Sequence, residues 1–124
     1  AATLSTEPLI RGAHVKPGTH IDLVGAFTPL MRESDDECVR KATLFVDTYA
    51  GALNEGGDLV QPMQAGLISK ADVSAELAML TNGTHGGRAS DDEITLFKST
   101  GASLEDFAAA ALMCDCLGLT AVSA

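Results

Sequence analysis

The amino-acid sequence predicts an α/β fold with a mainly parallel sheet flanked by helices. Short apolar runs, "THIDLVG", "TLFVDT" and "ITLF", alternate with segments that carry helix caps and 3.6-residue apolar spacing. The run "TLFVDT" is apolar throughout its middle, as a strand covered on both faces is. Aromatic residues make up only 4% of a chain that is 46% hydrophobic, so its core must rest on Ala, Leu and Val.

The first residues, "AATLST", read as the end of a strand with no polar lead-in, so the chain is expected to begin inside a domain. Pro17-Gly18 is a turn, and residues 19–25 then form a strand ending at Gly25. Ser34 offers an N-cap, with Glu37 at capping-box distance and Asp35 and Asp36 at the positive end of the helix dipole. That helix should end near Ala42, and residues 43–48 are the next strand. A short helix over 49–57 is stopped by glycine. Ser69 caps another helix, with Asp72 three residues on. Val73, Leu77 and Leu80 lie on its apolar face, and Asn82-Gly83 ends it. Residues 94–97 are a strand. Ser103 caps the last helix, whose stripe is Leu104, Phe107, Ala108, Ala111 and Leu112 and whose stop is Gly118. With only about four strands, part of the core is expected to come from something outside these residues.

The 124 residues suffice for one domain. A net charge of −9 argues against a sequence-independent nucleic-acid binder, which needs Lys and Arg against phosphates. No apolar run approaches the ~20 residues that span a bilayer. The first residues lack the basic and apolar regions of a signal peptide. Cys38, Cys114 and Cys116 have no framework spacing, which predicts reduced thiols and a cytoplasmic location.

Three stretches can carry function. "DLVGAFTP" (22–29) brings Val24, Gly25 and Ala26 to the carboxyl edge of a sheet, where open α/β folds bind ligands; the alternative is an ordinary strand-to-loop turn. "FKSTG" (97–101) places the Ser99 and Thr100 hydroxyls and Gly101 beside a helix start, where they could hold an anion or an amide; the alternative is a plain helix start. The run Asp91, Asp92 and Glu93 could bind a cation but lacks EF-hand spacing and reads as a solvated face. No metal site is predicted: His14, His20 and His85 have no metal spacing, and Cys114 and Cys116 point in different directions on a helix. A Walker A loop, a G-x-S-x-G elbow and a G-x-G-x-x-G fingerprint are all missing from this sequence.

The stretches "PGTHIDLVGAFTPLMRE" (17–33), "LFVDTYAGALNEGGDL" (44–59), "GLI" (66–68) and "SDDEITLFKSTGASLEDFAAA" (90–110) together resemble the ornithine cyclodeaminase/μ-crystallin family, in order and spacing. The resemblance implies a partial Rossmann-like domain. Residues 1–100 would be the second half of an NAD(P)-binding Rossmann domain. Residues 101–124 would be a helix returning toward a substrate and dimerisation domain. It implies NAD or NADP as cofactor, a small amino-acid or cyclic-imine substrate, and a homodimer or a self-associating fragment. It places Thr3, Val24, Gly25, Ala26 and Ser99 against the dinucleotide and Thr100 beside the substrate. A side chain at Gly25 would then occupy space that the nicotinamide needs.

One departure bears on the reaction. The family's cyclodeaminases carry a catalytic aspartate where this chain has Phe27, and a cofactor-contacting lysine where it has Met31. Phenylalanine cannot exchange a proton, so no catalytic residue is assigned. The resemblance therefore points to the family's ketimine reductases, such as Δ1-pyrroline-2-carboxylate reductases. The rival expectations are an ornithine cyclodeaminase with another base, which would make proline and ammonia from ornithine, and a non-catalytic ligand-binding member.

Overall fold

The computed structural model describes residues 1–119. Its four strands are β1 (His20–Leu23), β2 (Thr43–Val46), β3 (Val73–Glu76) and β4 (Thr95–Lys98). They form one sheet in the order β1-β4-β2-β3, and every neighbouring pair is parallel. The helices are α1 (Asp36–Lys41), α2 (Tyr49–Ala52), α3 (Gly57–Gln64), α4 (Leu77–Thr81) and α5 (Ser103–Cys116). The α/β class expected from the alternating pattern is the class observed.

One sheet face makes the main core. Ile21, Leu23, Leu44, Val46 and Leu96 cluster with Cys38 and Val39 of α1, Ala52 of α2 and Leu59 of α3. Strand alternation turns the neighbouring residues to the opposite face. There Phe45 is buried, with the His85 ring edge-on at 5.4 Å, while His20 and Asp22 on the edge strand β1 are exposed. Leu44, Phe45 and Val46 are all buried, as the unbroken apolar run of β2 predicts. Ala1 lies along the outer edge of β1, where its carbonyl accepts from Val24 N–H at 2.9 Å, so "AATLST" does run beside the sheet although it is not a regular strand.

The structure corrects the sequence reading in four places. The first concerns Ser69. Its capping box with Asp72 is real, the Asp72 carboxylate accepting from both the Ser69 N–H and its hydroxyl, but it caps only the single 3-10 turn Lys70–Asp72. The chain then enters β3 instead of a helix. Val73 and Ala75 are buried on alternate positions, and β2 gains a strand partner on its free edge. Secondly, the N-cap of α1 is Asp35, whose carboxylate accepts from Cys38 N–H at 3.0 Å. Ser34 instead donates its hydroxyl to Asp58. Thirdly, Gly56-Gly57 does not end the helical segment but separates α2 from α3, with Gly56 as N-cap and Asp58 in the first turn. Finally, α5 is capped at Ala102, whose N–H donates to Glu105 at 3.2 Å, and Ser103 is its first residue. The stripe expected on α5 is present, but Leu104, Phe107 and Leu112 are exposed. No helix among the described residues is long and apolar enough to cross a membrane.

Candidate functional site

The strands are parallel, so their carboxyl ends share one edge of the sheet. β1 and β4 are neighbours, which sets the turn after β1 beside the turn after β4. The junction is held by Ser99 N–H and the Lys98 ammonium, which both donate to Leu23 C=O, at 3.0 and 3.2 Å. Two of the stretches singled out in the sequence thus meet.

Each turn is held from behind by a buried carboxylate. Glu33, fully buried, gathers the first. It accepts from Thr3 N–H at 2.6 Å, the Thr3 hydroxyl at 2.9 Å, Gly25 N–H at 2.8 Å and Ala26 N–H at 3.3 Å. Asp47, at the end of β2, gathers the second. Its Oδ2 accepts from the Ser99 hydroxyl at 3.1 Å, Thr100 N–H at 2.7 Å and Gly101 N–H at 2.8 Å, while Oδ1 accepts from Thr48 N–H. Beneath both turns sits Lys98, with none of its surface exposed and its Nζ 3.8 Å from Asp58 Oδ2. Asp58 Oδ1 in turn accepts from Glu33 N–H, Ser34 N–H and the Ser34 hydroxyl.

Burial drives the Lys98 pKa below its ordinary value, against the opposing pull of Asp58, Glu33, Asp47 and Asp22. Burial pushes Glu33 up, but the Thr3 and Gly25 hydrogen bonds and the Lys98 charge together hold its carboxyl below the usual 4.5. A lowered pKa means that the unfolded state binds more protons. The stability due to Glu33 is therefore complete above pH 4.5 and is lost as pH falls through the lower folded value. Denaturant titrations across that acid limb should show Glu33→Gln with a flatter loss of stability than wild type. Parallel limbs would show that Glu33 is not the titrating group.

Among the residues singled out in the sequence, Val24 is half exposed at the sheet edge and Phe27 is 45% exposed. Gly25 and Ala26 are buried in the turn, and the hydroxyls of Thr3 and Ser99 are tied to Glu33 and Asp47. Gly25 requires a correction. A Cβ there would fall on the backbone of Thr3 and the Glu33 carboxylate, so the space is already filled by protein and not kept for a ligand. Gly25→Ala should therefore lower stability by about 2 kcal/mol or more, read from a thermal melt, because backbone cannot move aside as a side-chain end can. A melt within a degree of wild type would refute that packing. Thr100 Oγ1 is buried without a hydrogen-bond partner and faces Gly51, where a Cβ would lie 2.6 Å away.

A cavity of ≈ 280 Å³ opens beside the Asp47 turn, lined by Thr48, Leu77, Ala78, Thr81, Ala102 and Leu104. Another, ≈ 260 Å³, lies on the open sheet face toward the amino ends of β1 and β4, near His20 and Thr95, away from the strand-end turns. Sequence reasoning missed Glu33, Asp47, Asp58 and Lys98. Their available signal was position: Asp47 and Lys98 directly end apolar strands, where a solvated charge is out of place.

The family model for the ornithine cyclodeaminase/mu-crystallin family matches residues 1–118. The chain belongs to this family. It is 43% identical over 113 residues to the ketimine reductase mu-crystallin of Mus musculus, an alignment covering 91% of this chain and 33% of that protein. It is 44% identical over 101 residues to the Delta(1)-pyrroline-2-carboxylate reductase of Paracoccus denitrificans, covering 82% of this chain and 32% of that protein. Its fold superposes on the Delta(1)-pyrroline-2-carboxylate reductase of Thermococcus litoralis, solved in complex with NADH and L-proline. The TM-score is 0.88 at 42% identity, over 98% of this chain and 39% of that one. This ornithine cyclodeaminase/mu-crystallin family chain thus spans about a third of the length of the curated relatives it matches.

Proposed function

We propose that the chain is part of an NAD(P)-dependent reductase that converts a cyclic ketimine, such as Δ1-pyrroline-2-carboxylate, to the amino acid. The observation that carries this reading is the likeness to a reductase solved with NADH and L-proline, over 98% of this chain. The paired turns after β1 and β4, at the carboxyl edge of the sheet, support this reading. In this reading residues 1–100 are the second half of the Rossmann domain, and 101–124 return toward a substrate and dimerisation domain. Thr3, Val24 and Ser99 face the dinucleotide, the buried Gly25 and Ala26 form the turn that carries Val24 to it, and Thr100 lies beside the substrate. The full-length protein is a cytoplasmic homodimer.

The bound nicotinamide would supply the hydride. The chain's own residues position and shield. Glu33 and Asp47 fix the two turns, so the edge costs little to reorganise when ligands arrive. Val24 and Phe27 present exposed apolar surface that a bound ligand would cover, and that contact would exclude water from the edge. Phe27 has no exchangeable proton, so the step relies on orientation and on groups from elsewhere in the protein.

The test gives full-length protein either Δ1-pyrroline-2-carboxylate with NADH and NADPH, or ornithine. Proline formed from the pyrroline with stoichiometric loss of reduced nucleotide is the expected result. Proline and ammonia formed from ornithine alone would overturn it in favour of cyclodeamination. The 124-residue chain by itself should turn over neither.

A further inference from the structure

We infer that Lys98 is a positioning residue for the reaction: through the carbonyl of Leu23, its buried ammonium sets the spacing between the turn after β1 and the turn after β4. The inference rests on the reductase reading above and deepens it.

Lys98 reaches both turns at once. It stands opposite Leu23 in the β1–β4 pair. Its backbone carbonyl accepts from Asp47 N–H at 3.2 Å, the residue whose carboxylate gathers the second turn. Its side chain serves the first turn, where Nζ donates to Leu23 C=O at 3.2 Å. That carbonyl already has its ladder bond from Ser99 N–H at 3.0 Å, so it does not need the lysine to be satisfied. Val24 N–H, in the same peptide, ends on Ala1 C=O at 2.9 Å. The peptide that enters the turn is therefore pinned from both sides, and the lysine adds the charge-assisted contact.

Stability does not explain a lysine at this place. Burying an ammonium is costly, and apolar groups of like volume often replace a buried ion pair without loss. As an ion pair this one is loose: Nζ is 3.8 Å from Asp58 Oδ2, which has no hydrogen-bond partner. Among the described residues, Leu23 C=O is what Nζ hydrogen-bonds. The stem lies against Gly56, where a Cβ would meet Cε at 3.0 Å and Cγ at 3.3 Å, so the head is held on that carbonyl. The two turns carry the two sides of the site, and their spacing sets how closely the reactants approach. A displacement of about 1 Å between reactants can cost about a hundredfold in rate.

The test gives full-length protein reduced nucleotide and Δ1-pyrroline-2-carboxylate. It reads the hydride-transfer rate in a single turnover with both bound, beside the Kd of the nucleotide. Lys98→Met is compared with Lys98→Met plus Asp58→Asn, which removes the pair together and keeps the test open if the single change does not fold. Val39→Ala, a core change on α1 toward the amino ends of the strands, is the control for lost stability alone. Either Lys98 variant should transfer hydride at least about tenfold more slowly per occupied site, with the nucleotide Kd changed less than about threefold. Val39→Ala should melt earlier and keep the wild-type rate per occupied site. A smaller fall in the Lys98 variants, an equal fall in Val39→Ala, or a double variant that does not fold would make Lys98 a structural residue. Each of these overturns the inference with the reductase reading intact. Wild type that leaves the pyrroline unchanged overturns both.

Discussion

Lys98→Met should cost the folded protein about 3–5 kcal/mol, because it strips the cation from a buried cluster and leaves its carboxylates uncompensated. Lys98, Asp58 and Glu33 have no exposed surface. Methionine fills much of the lysine stem's volume, so packing changes little and the loss is mainly electrostatic. Asp58 would keep three hydrogen bonds, but its Oδ2, already without a hydrogen-bond partner, would lose the ammonium 3.8 Å away. The Leu23 carbonyl would also lose a donor directly before the Val24-Gly25-Ala26 turn. Adding Asp58→Asn removes one stranded charge and should recover part of the loss, so a double-mutant cycle isolates the pair. Urea unfolding of the four proteins reads it. A cost below about 1 kcal/mol for Lys98→Met would mean that water reaches this cluster and that it does not brace the turns.

The second large effect is assembly of the 124-residue chain. Along α5, Leu104, Phe107 and Leu112 are 73%, 70% and 64% exposed, and Met113 and Leu117 are nearly as open. Across the sheet, the face of His20 and Asp22 is open as well, and β1 is an edge strand. Burying each large apolar side chain is worth about 1.5–3 kcal/mol, so a few of them together drive association at micromolar concentration. Sedimentation should therefore find dimers or larger species. Leu104→Glu with Phe107→Glu should shift them strongly toward monomer. A wild-type chain that sediments as a stable monomer would show that α5 needs no cover.

Legibility followed the range of the signals. β1, β2, β4 and α5 announce themselves locally, through apolar runs bounded by turns and through a long 3.6-residue stripe. β3 does not: "VSAE" is four residues long, and Val73 with Leu77 and Leu80 fits a helical face equally well. What settles it is the free edge of β2, a partner some thirty positions away in sequence. The helix α3 was hidden because Gly56-Gly57 resembles a stop, whereas here it permits a fresh start. The site split in the same way. Its turns were readable as strand ends carrying small residues. Its supporting charges were not, because Glu33, Asp47 and Asp58 look like solvated carboxylates until the fold encloses them. The glycine argument failed for a related reason: only the structure places Thr3 and Glu33 in the space around Gly25.

The most direct measurement follows the hydride itself. Full-length protein would be incubated with Δ1-pyrroline-2-carboxylate and NADH, or NADPH, bearing deuterium at the transferred position of the nicotinamide, and the product examined by mass spectrometry and NMR. The account predicts proline with one deuterium on its α-carbon. Proline without that deuterium, or unchanged pyrroline-2-carboxylate in the presence of bound nucleotide, would contradict it.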